Sequence, residues 1–168
     1  MLYCATNELD HFQFHDAEIE KIVFTDKEMT WSVSAINATT SNTQNKGSKD
    51  MCVPLATMTF ENPLMESIVF SAYTMHDSNN NLIKDVKAVS AKPEEYGAIL
   101  SKSTDSYCYI FGMNELLKVG DERYRVCFDI DGGAGNFYFT FTFSKSIIQW
   151  DAYSGEAWYE HPKWKKEK

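Results

Sequence analysis

Two short stretches of the sequence combine side chains that can exchange protons. His15 is followed directly by Asp16, and a carboxylate beside an imidazole can orient it as a general base. Asp129 and Asp131 lie two positions apart in "DIDGGAGN". On a strand their carboxylates would share one face about 6–7 Å apart, which suits calcium binding or acid–base catalysis on a sugar. Such short motifs are weak signals, so we favour a strand-ending His–Asp pair and an Asp-Gly turn.

The C-terminal stretch "IIQWDAYSGEAWYE" predicts a binding surface. If Ser154 and Gly155 form a two-residue hairpin turn, Trp150 faces Tyr159 on a buried side. The opposite side then combines aromatic and acidic side chains, namely Asp151, Tyr153, Glu156 and Trp158. Such a surface could stack on a sugar ring or anchor a protein partner. The alternative is that a helix, a loop or the chain's own tail covers it.

No motif in the chain points to a cofactor. The sequence has no P-loop, H-E-x-x-H, G-x-S-x-G, C-x-x-C or dinucleotide fingerprint, and we predict neither a cofactor nor a metal. Cys108 and Cys127 lie in strand-like stretches that suit small buried residues. No apolar signal segment follows Met1, so we expect a reducing, cytoplasmic location. The longest apolar run is too short to span a membrane.

The charge of the chain narrows the class of partner. The formal net charge is −8 at pH 7, which disfavours nucleic acid because phosphate binding needs a basic face. Only the C-terminal tail, residues 161–168, is basic. An acidic chain suits a basic protein partner, although acidity also serves solubility alone. Carbohydrate is the other ligand class that the aromatic side chains favour.

Alternating apolar and polar residues predict a mainly β fold. A chain of 168 residues fits a single domain, 1–168. One face of a predicted strand consists of phenylalanines and must be buried against a second layer. These residues are Phe137, Phe139, Phe141 and Phe143. Many short strands separated by turn signals are typical of an antiparallel β-sandwich or a jelly-roll-like barrel.

Three segments interrupt the strand pattern. Pro93, followed by Glu94 and Glu95, predicts one short helix near 93–101. The polar stretch 40–52 predicts a mobile loop inside the domain. The stretch "NELLKVGDE", residues 114–122, predicts a loop or a short helical turn.

The N-terminal residues resemble those of a known group of proteins. The stretch "FHDAEI", residues 14–19, is followed by a predicted hairpin with an inward-facing Trp31. This combination resembles the start of several small, uncharacterised, β-rich bacterial families with an FHD[AS]-x-[IL] stretch. Some of these are similar to immunity proteins, which neutralise toxins exchanged between neighbouring cells. The resemblance implies an acidic, cytosolic, non-catalytic binder, and it assigns no functional residue.

Two functions follow from these patterns. The first is a non-enzymatic binding module, with an immunity-type protein as one form of it, that recognises a basic partner through the C-terminal aromatic and acidic surface. The second is a carbohydrate-active or metal-dependent enzyme on a jelly-roll scaffold, with one of the two acid pairs as its catalytic groups. Self-association of the domain is a further expectation.

Overall fold

The computed structural model describes residues 1–161, so the predicted basic tail lies outside the described residues except for its first position. These residues form fourteen strands and one α-helix, α1 (Tyr96–Ser103), which confirms the predicted mainly β class. In chain order the strands are β1 (Tyr3–Thr6), β2 (Phe12–Gln13), β3 (Ala17–Phe24), β4 (Glu28–Ala38), β5 (Met51–Glu61), β6 (Leu64–Phe70), β7 (Tyr73–His76), β8 (Leu82–Val86), β9 (Val89–Ser90), β10 (Cys108–Val119), β11 (Arg123–Gly132), β12 (Gly135–Phe143), β13 (Lys145–Trp150) and β14 (Gly155–Glu156).

Antiparallel pairing links twelve of these strands into one sheet that folds into two layers. The first layer has the order β1-β13-β5-β4-β3, and the second has the order β10-β11-β12-β6-β9. The layers join where β3 meets β10, through the pairs Glu18–Tyr109 and Ala17–Ile110. β7 and β8 pair with each other and form a separate two-stranded sheet. The result is a β-sandwich-like fold.

Aromatic side chains from both layers fill the space between them. Trp31 on β4 is fully buried, with its ring centroid 5.1 Å from that of Phe128 and 6.0 Å from that of Phe141. The predicted phenylalanine face is confirmed, since all four of its side chains on β12 are 0–1% exposed. Burying a large apolar side chain contributes about 1.5–3 kcal/mol, so these contacts hold the two layers together.

A short helical segment covers one end of the second layer. A 3₁₀ turn at Pro93–Glu95 leads into α1, close to the predicted range 93–101. Leu100 of α1 is fully buried in the core. The last residue of α1 lies against Gly132, where an added Cβ would be 2.7 Å from the Ser103 carbonyl oxygen. Only glycine fits this close approach of helix and strand.

Amide hydrogen bonds hold the polar segment between β4 and β5. Asn45 is 6% exposed, and its Nδ2 donates to backbone carbonyls at 2.9–3.1 Å. The Glu8 carboxylate accepts the backbone N–H of Thr43 at 2.9 Å and its hydroxyl at 2.7 Å. The last two positions of the predicted loop 40–52 belong to β5. The mobility of this loop stays a prediction.

The predicted loop or helical turn at residues 114–122 is wrong. β10 runs on to Val119, which pairs with Arg123 at the start of β11. The register shifts between Met113 and Glu115, as in a β-bulge. A bulge breaks the alternation of side chains between the two faces, so this strand has no regular period of two in its sequence.

Candidate functional site

The outer surface of the sheet, where the two layers join, combines exposed rings with carboxylates. Residues that alternate with the buried positions of a strand point away from the core. We define the acidic aromatic face by Glu18, Tyr107, Tyr109, Asp129, Asp131 and Tyr138. Its three rings are each 36–43% exposed. A contiguous group of exposed aromatic side chains is typical of an interaction surface.

Tyr109 lies between two carboxylates. It pairs with Glu18 of β3 on one side and with Asp131 of β11 on the other. Directly opposite residues of antiparallel strands have Cβ atoms about 4.5–5.5 Å apart, so both carboxylates flank the ring. The Tyr107 ring stacks beside it, with 6.0 Å between the centroids and 28° between the planes. A cation at this row would meet two negative charges and the π-faces of the rings.

Asp129 and Tyr138 extend the face toward β12, where they pair directly with each other. Asp129 shares its strand face with Asp131, as the sequence predicts. The Asn136 side chain donates a hydrogen bond to Asp129 at 3.1 Å across the β11–β12 hairpin. The hairpin predicted at "DIDGGAGN" is present, but its turn residues are Gly133 and Ala134, because Asp131 and Gly132 belong to β11 and pair with Asn136 and Gly135. The hydrogen bond from Asn136 holds Asp129 in one orientation.

The carboxylates of the face also act on a neighbouring thiol. Cys108 is fully buried, and burial raises the pKa of its thiol to about 12, with further contributions from the charges of Asp131 and Glu18. The thiol is therefore neutral and unreactive at physiological pH. Among residues 1–161 neither Glu18 nor Asp131 forms an ion pair. Their negative charge is thus available to a partner.

A groove of about 310 Å³ opens beside Phe111, two residues along β10 from Tyr109. His15 lines this groove, and its Nδ1 lies 2.9 Å from Asp16 Oδ2. Asp16 has a φ of +64° in the turn between β2 and β3, so the pair stands at the start of a strand. Neither Asp129 nor Asp131 lines the groove. The two predicted acid pairs therefore do not converge there.

The described part of the chain assembles no metal site. Among residues 1–161 no group of three or more His, Cys, Asp and Glu side chains could hold an ion. All four cysteines carry free thiols. The acidic aromatic face offers attraction of a cation and stacking on a flat group.

The hairpin predicted at Ser154 and Gly155 is wrong. β13 and β14 both pair with β5, so they follow one another along the same neighbouring strand. Trp150 lies opposite Ala56, and Gly155 lies opposite Cys52. Between these two points β5 contains a proline, which has no N–H to donate. Residues 151–154 leave the sheet at this point and rejoin it at β14.

Of the residues predicted to form the C-terminal binding surface, Tyr153 packs against the core. Its ring centroid lies 5.0 Å from that of Tyr3 and 5.8 Å from that of Trp150. The phenol oxygen is buried, but no hydrogen bond of acceptable geometry reaches this oxygen among residues 1–161. Burial raises the pKa of Tyr153 to about 12, while the nearby Trp150 indole N–H acts to lower it. Tyr153 therefore has a structural contact that a partner would have to break.

The other three predicted residues stay at the surface. Glu156 accepts hydrogen bonds from Lys49 Nζ at 2.7 Å to each carboxylate oxygen, which offsets its charge. Asp151 is exposed, and its carboxylate lies 3.3 Å from the amino nitrogen of Met1. Trp158 is 55% exposed. The role of these three residues in binding stays a prediction. The carboxylates of Asp151 and Glu156 have cationic neighbours, whereas those of Glu18 and Asp131 have none among residues 1–161.

Replacing Tyr153 with phenylalanine is expected to raise the free energy of unfolding by about 1 kcal/mol at neutral pH, since an unsatisfied buried hydroxyl costs about 1–3 kcal/mol. The phenol pKa is 10.0 in the unfolded chain and about 12 in the folded protein. Below pH 10 the phenol is neutral in both the folded and the unfolded chain, so its ionisation does not change the free energy of unfolding. Above pH 10 the unfolded chain loses the proton first, and the free energy of unfolding of wild type falls as the pH rises toward 12. The advantage of the variant should therefore grow over that range.

Urea unfolding at several pH values measures this difference. Tyr138→Phe is the matched control, because its ring lies at the surface and the same change should leave stability within about 0.5 kcal/mol of wild type. A Tyr153→Phe variant less stable than wild type at neutral pH would contradict the absence of a partner for the phenol.

The tyrosines of the acidic aromatic face were missed by the sequence analysis, although one signal for them exists. Tyr107, Tyr109 and Phe111 alternate with the buried Cys108 and Ile110, so one side of the strand is wholly aromatic. Glu18, the carboxylate that flanks Tyr109 from β3, lies far away in the sequence. No local sequence pattern predicts that the two residues pair.

Comparisons with known proteins assign no function to this chain. A scan against protein-family models, a search of the curated proteins and a search of the solved structures each found no match. Within residues 1–161, no helix has the length and apolar character needed to cross a bilayer.

Proposed function

We propose that this protein is a non-enzymatic, cytoplasmic binding module that recognises a basic protein partner through the acidic aromatic face. A protein of the immunity type, bound to a basic toxin, is the form of this function that we favour. The observation that carries the proposal is the row Glu18–Tyr109–Asp131, in which an exposed ring lies between two carboxylates.

The two carboxylates and the tyrosine ring of this row favour a partner that presents lysine or arginine. Two carboxylates without ion pairs within the described chain attract lysine and arginine from a distance and speed association. Arginine suits the site further, because its planar guanidinium can stack on Tyr109 while donating hydrogen bonds to a carboxylate. Tyrosine and arginine are also the side chains that most often dominate binding energy at interfaces. The groove beside Phe111 offers room for a partner side chain next to the row.

The alternative function, a carbohydrate-active or metal-dependent enzyme, draws less support from the geometry. Asp129 is held by a hydrogen bond from Asn136 in its own hairpin. Neither Asp129 nor Asp131 lines the groove that contains His15. Acid–base catalysis needs both members of one pair to reach one bound substrate, and of the His15–Asp16 pair only His15 lines this groove.

The test compares three versions of the full chain as bait in extracts of the native cell. Wild type is expected to capture one basic protein, which is then purified and titrated by calorimetry. Tyr109→Ala should weaken binding about 30-fold, which corresponds to a hot-spot loss of about 2 kcal/mol. Glu18→Gln combined with Asp131→Asn should weaken it as well and should reduce the salt dependence of the affinity.

A matched control removes the same two charges elsewhere. Asp26→Asn combined with Glu28→Gln alters the turn between β3 and β4 and should leave the affinity unchanged. The proposal is overturned if wild type captures only chaperones, if the partner is acidic, or if the face variants bind it as tightly as wild type.

A further inference from the structure

β7 and β8 form a hairpin arm, residues 73–86, that stands apart from the main sheet. Every residue of its two strands is exposed except the half-buried Val86. The turn of the arm is well defined, because the Asp77 carboxylate accepts the backbone N–H groups of Asn79 and Asn81 at 2.8 Å each. Hydrogen bonds from Asn81 and Asn79 hold the pKa of Asp77 below its usual range. The arm is therefore an ordered element with unburied strands.

Large apolar side chains of the arm stay about half exposed among residues 1–161. They are 46–62% exposed and comprise Tyr73, Met75, Leu82 and Ile83. A two-stranded hairpin alone is marginally stable in water and needs packing against another element. Tyr73 and Met75 share one face of the arm, and Leu82 lies on the other. Something that packs on this arm would supply the missing burial, and neighbouring exposed apolar side chains are typical of an interaction surface.

Two grooves flank the base of the arm. One of about 570 Å³ runs between β9 and α1 and includes Ala98 and Ile99 in its lining. The other, of about 540 Å³, lies between the arm and the β11–β12 turn and includes Ala134. Phe70 and Val89 line both grooves. Tyr73 and Val86 at the base of the arm line the second groove, so the arm adjoins both grooves.

We propose that the arm and the groove beside α1 bind a second copy of the same chain, with the arm of each copy lying in that groove of the other. A two-fold interface must be self-complementary, and a projecting arm next to a groove of its own chain meets that requirement. Lys84 lies on the arm, where its Nζ donates to the Tyr73 hydroxyl at 3.0 Å and keeps its positive charge. The groove beside α1 is lined by Glu94, Glu95 and Lys102, so its lining has more negative than positive charge and suits this lysine. The proposal is independent of the proposed recognition of a basic partner.

Sedimentation velocity of the full chain over a wide range of concentrations tests the inference. Wild type is expected to sediment as a dimer that dissociates on dilution, and Ile83→Lys as a monomer. Lys84→Glu and Glu94→Lys should each weaken the dimer about fivefold, because each places like charges together. The combination of the two should restore the wild-type affinity, since the ion pair is then reversed.

Leu55→Lys is the matched control, since Leu55 is 51% exposed on the first layer and the variant should remain a dimer. Far-UV circular dichroism confirms that each variant is folded. A wild type that is monomeric at every concentration overturns the inference, as does an Ile83→Lys variant that dimerises normally or a double charge reversal that restores nothing. Glu18→Gln combined with Asp131→Asn should dimerise like wild type, which separates this test from that of the proposed function.

Discussion

Replacing Trp31 with alanine is expected to lower the free energy of unfolding by about 3–5 kcal/mol. Trp31 is 0% exposed and contacts Phe60 in its own layer and Phe128 and Phe141 in the facing layer. Its indole N–H has no acceptor within residues 1–161, so the change removes packing and no hydrogen bond. The surrounding strands are close-packed and cannot collapse fully into the space left behind. Urea unfolding followed by far-UV circular dichroism measures the loss.

Trp158→Ala is the matched control for this prediction. The same side chain is removed, but Trp158 is 55% exposed in the structure, and its loss should cost less than about 1 kcal/mol. Equal losses for the two variants would mean that the contact between the layers contributes no more to stability than a surface tryptophan does.

Replacing Gly132 with alanine is expected to destabilise the protein by about 1–3 kcal/mol. The added Cβ would lie 2.7 Å from the Ser103 carbonyl oxygen and 3.2 Å from Cys108 Sγ. The carbonyl belongs to the last residue of α1, so it can move only if the helix moves, and Leu100 anchors that helix in the core. Thermal unfolding should show a lower melting temperature with an unchanged far-UV spectrum.

Gly97→Ala makes the same chemical change where there is room for it. Gly97 is a residue of α1, and apart from its chain neighbours and the backbone of the helix itself no atom of residues 1–161 lies within 4 Å of its Cβ position. Alanine is favoured over glycine in a helix by about 0.8–1 kcal/mol, so this variant should be more stable than wild type. Destabilisation of similar size in both variants would contradict the steric explanation at Gly132.

Local periodicity predicted the elements that depend on neighbouring residues. The phenylalanines of β12 alternate over residues 137–143, so their burial follows from the geometry of one strand. The short helix was also predicted from neighbouring residues, since Pro93 and the two glutamates after it are typical of a helix start. The Ser154-Gly155 turn failed because a local turn signal competes with strand pairing, and β5 supplied a partner for both β13 and β14.

The candidate site was only partly predictable for a related reason. Asp129 and Asp131 were found because their spacing is visible in one stretch of sequence. Tyr109 and Glu18 meet through the two residue pairs that join β3 to β10, and neither strand's own pattern specifies its neighbour. A face assembled from distant strands becomes visible only when the order of the strands is known.

The place of β13 in the sheet affects how the chain can fold during synthesis. This strand lies between β1 and β5, so the earliest and one of the latest strands of residues 1–161 are neighbours. A ribosome releases β1 and β5 long before their shared partner exists, and both strands must wait with unpaired edges. Pairing over such long sequence separation is slow. We expect a nascent chain stalled before β13 to be bound by chaperones and cut readily by proteases, and the released chain to resist both.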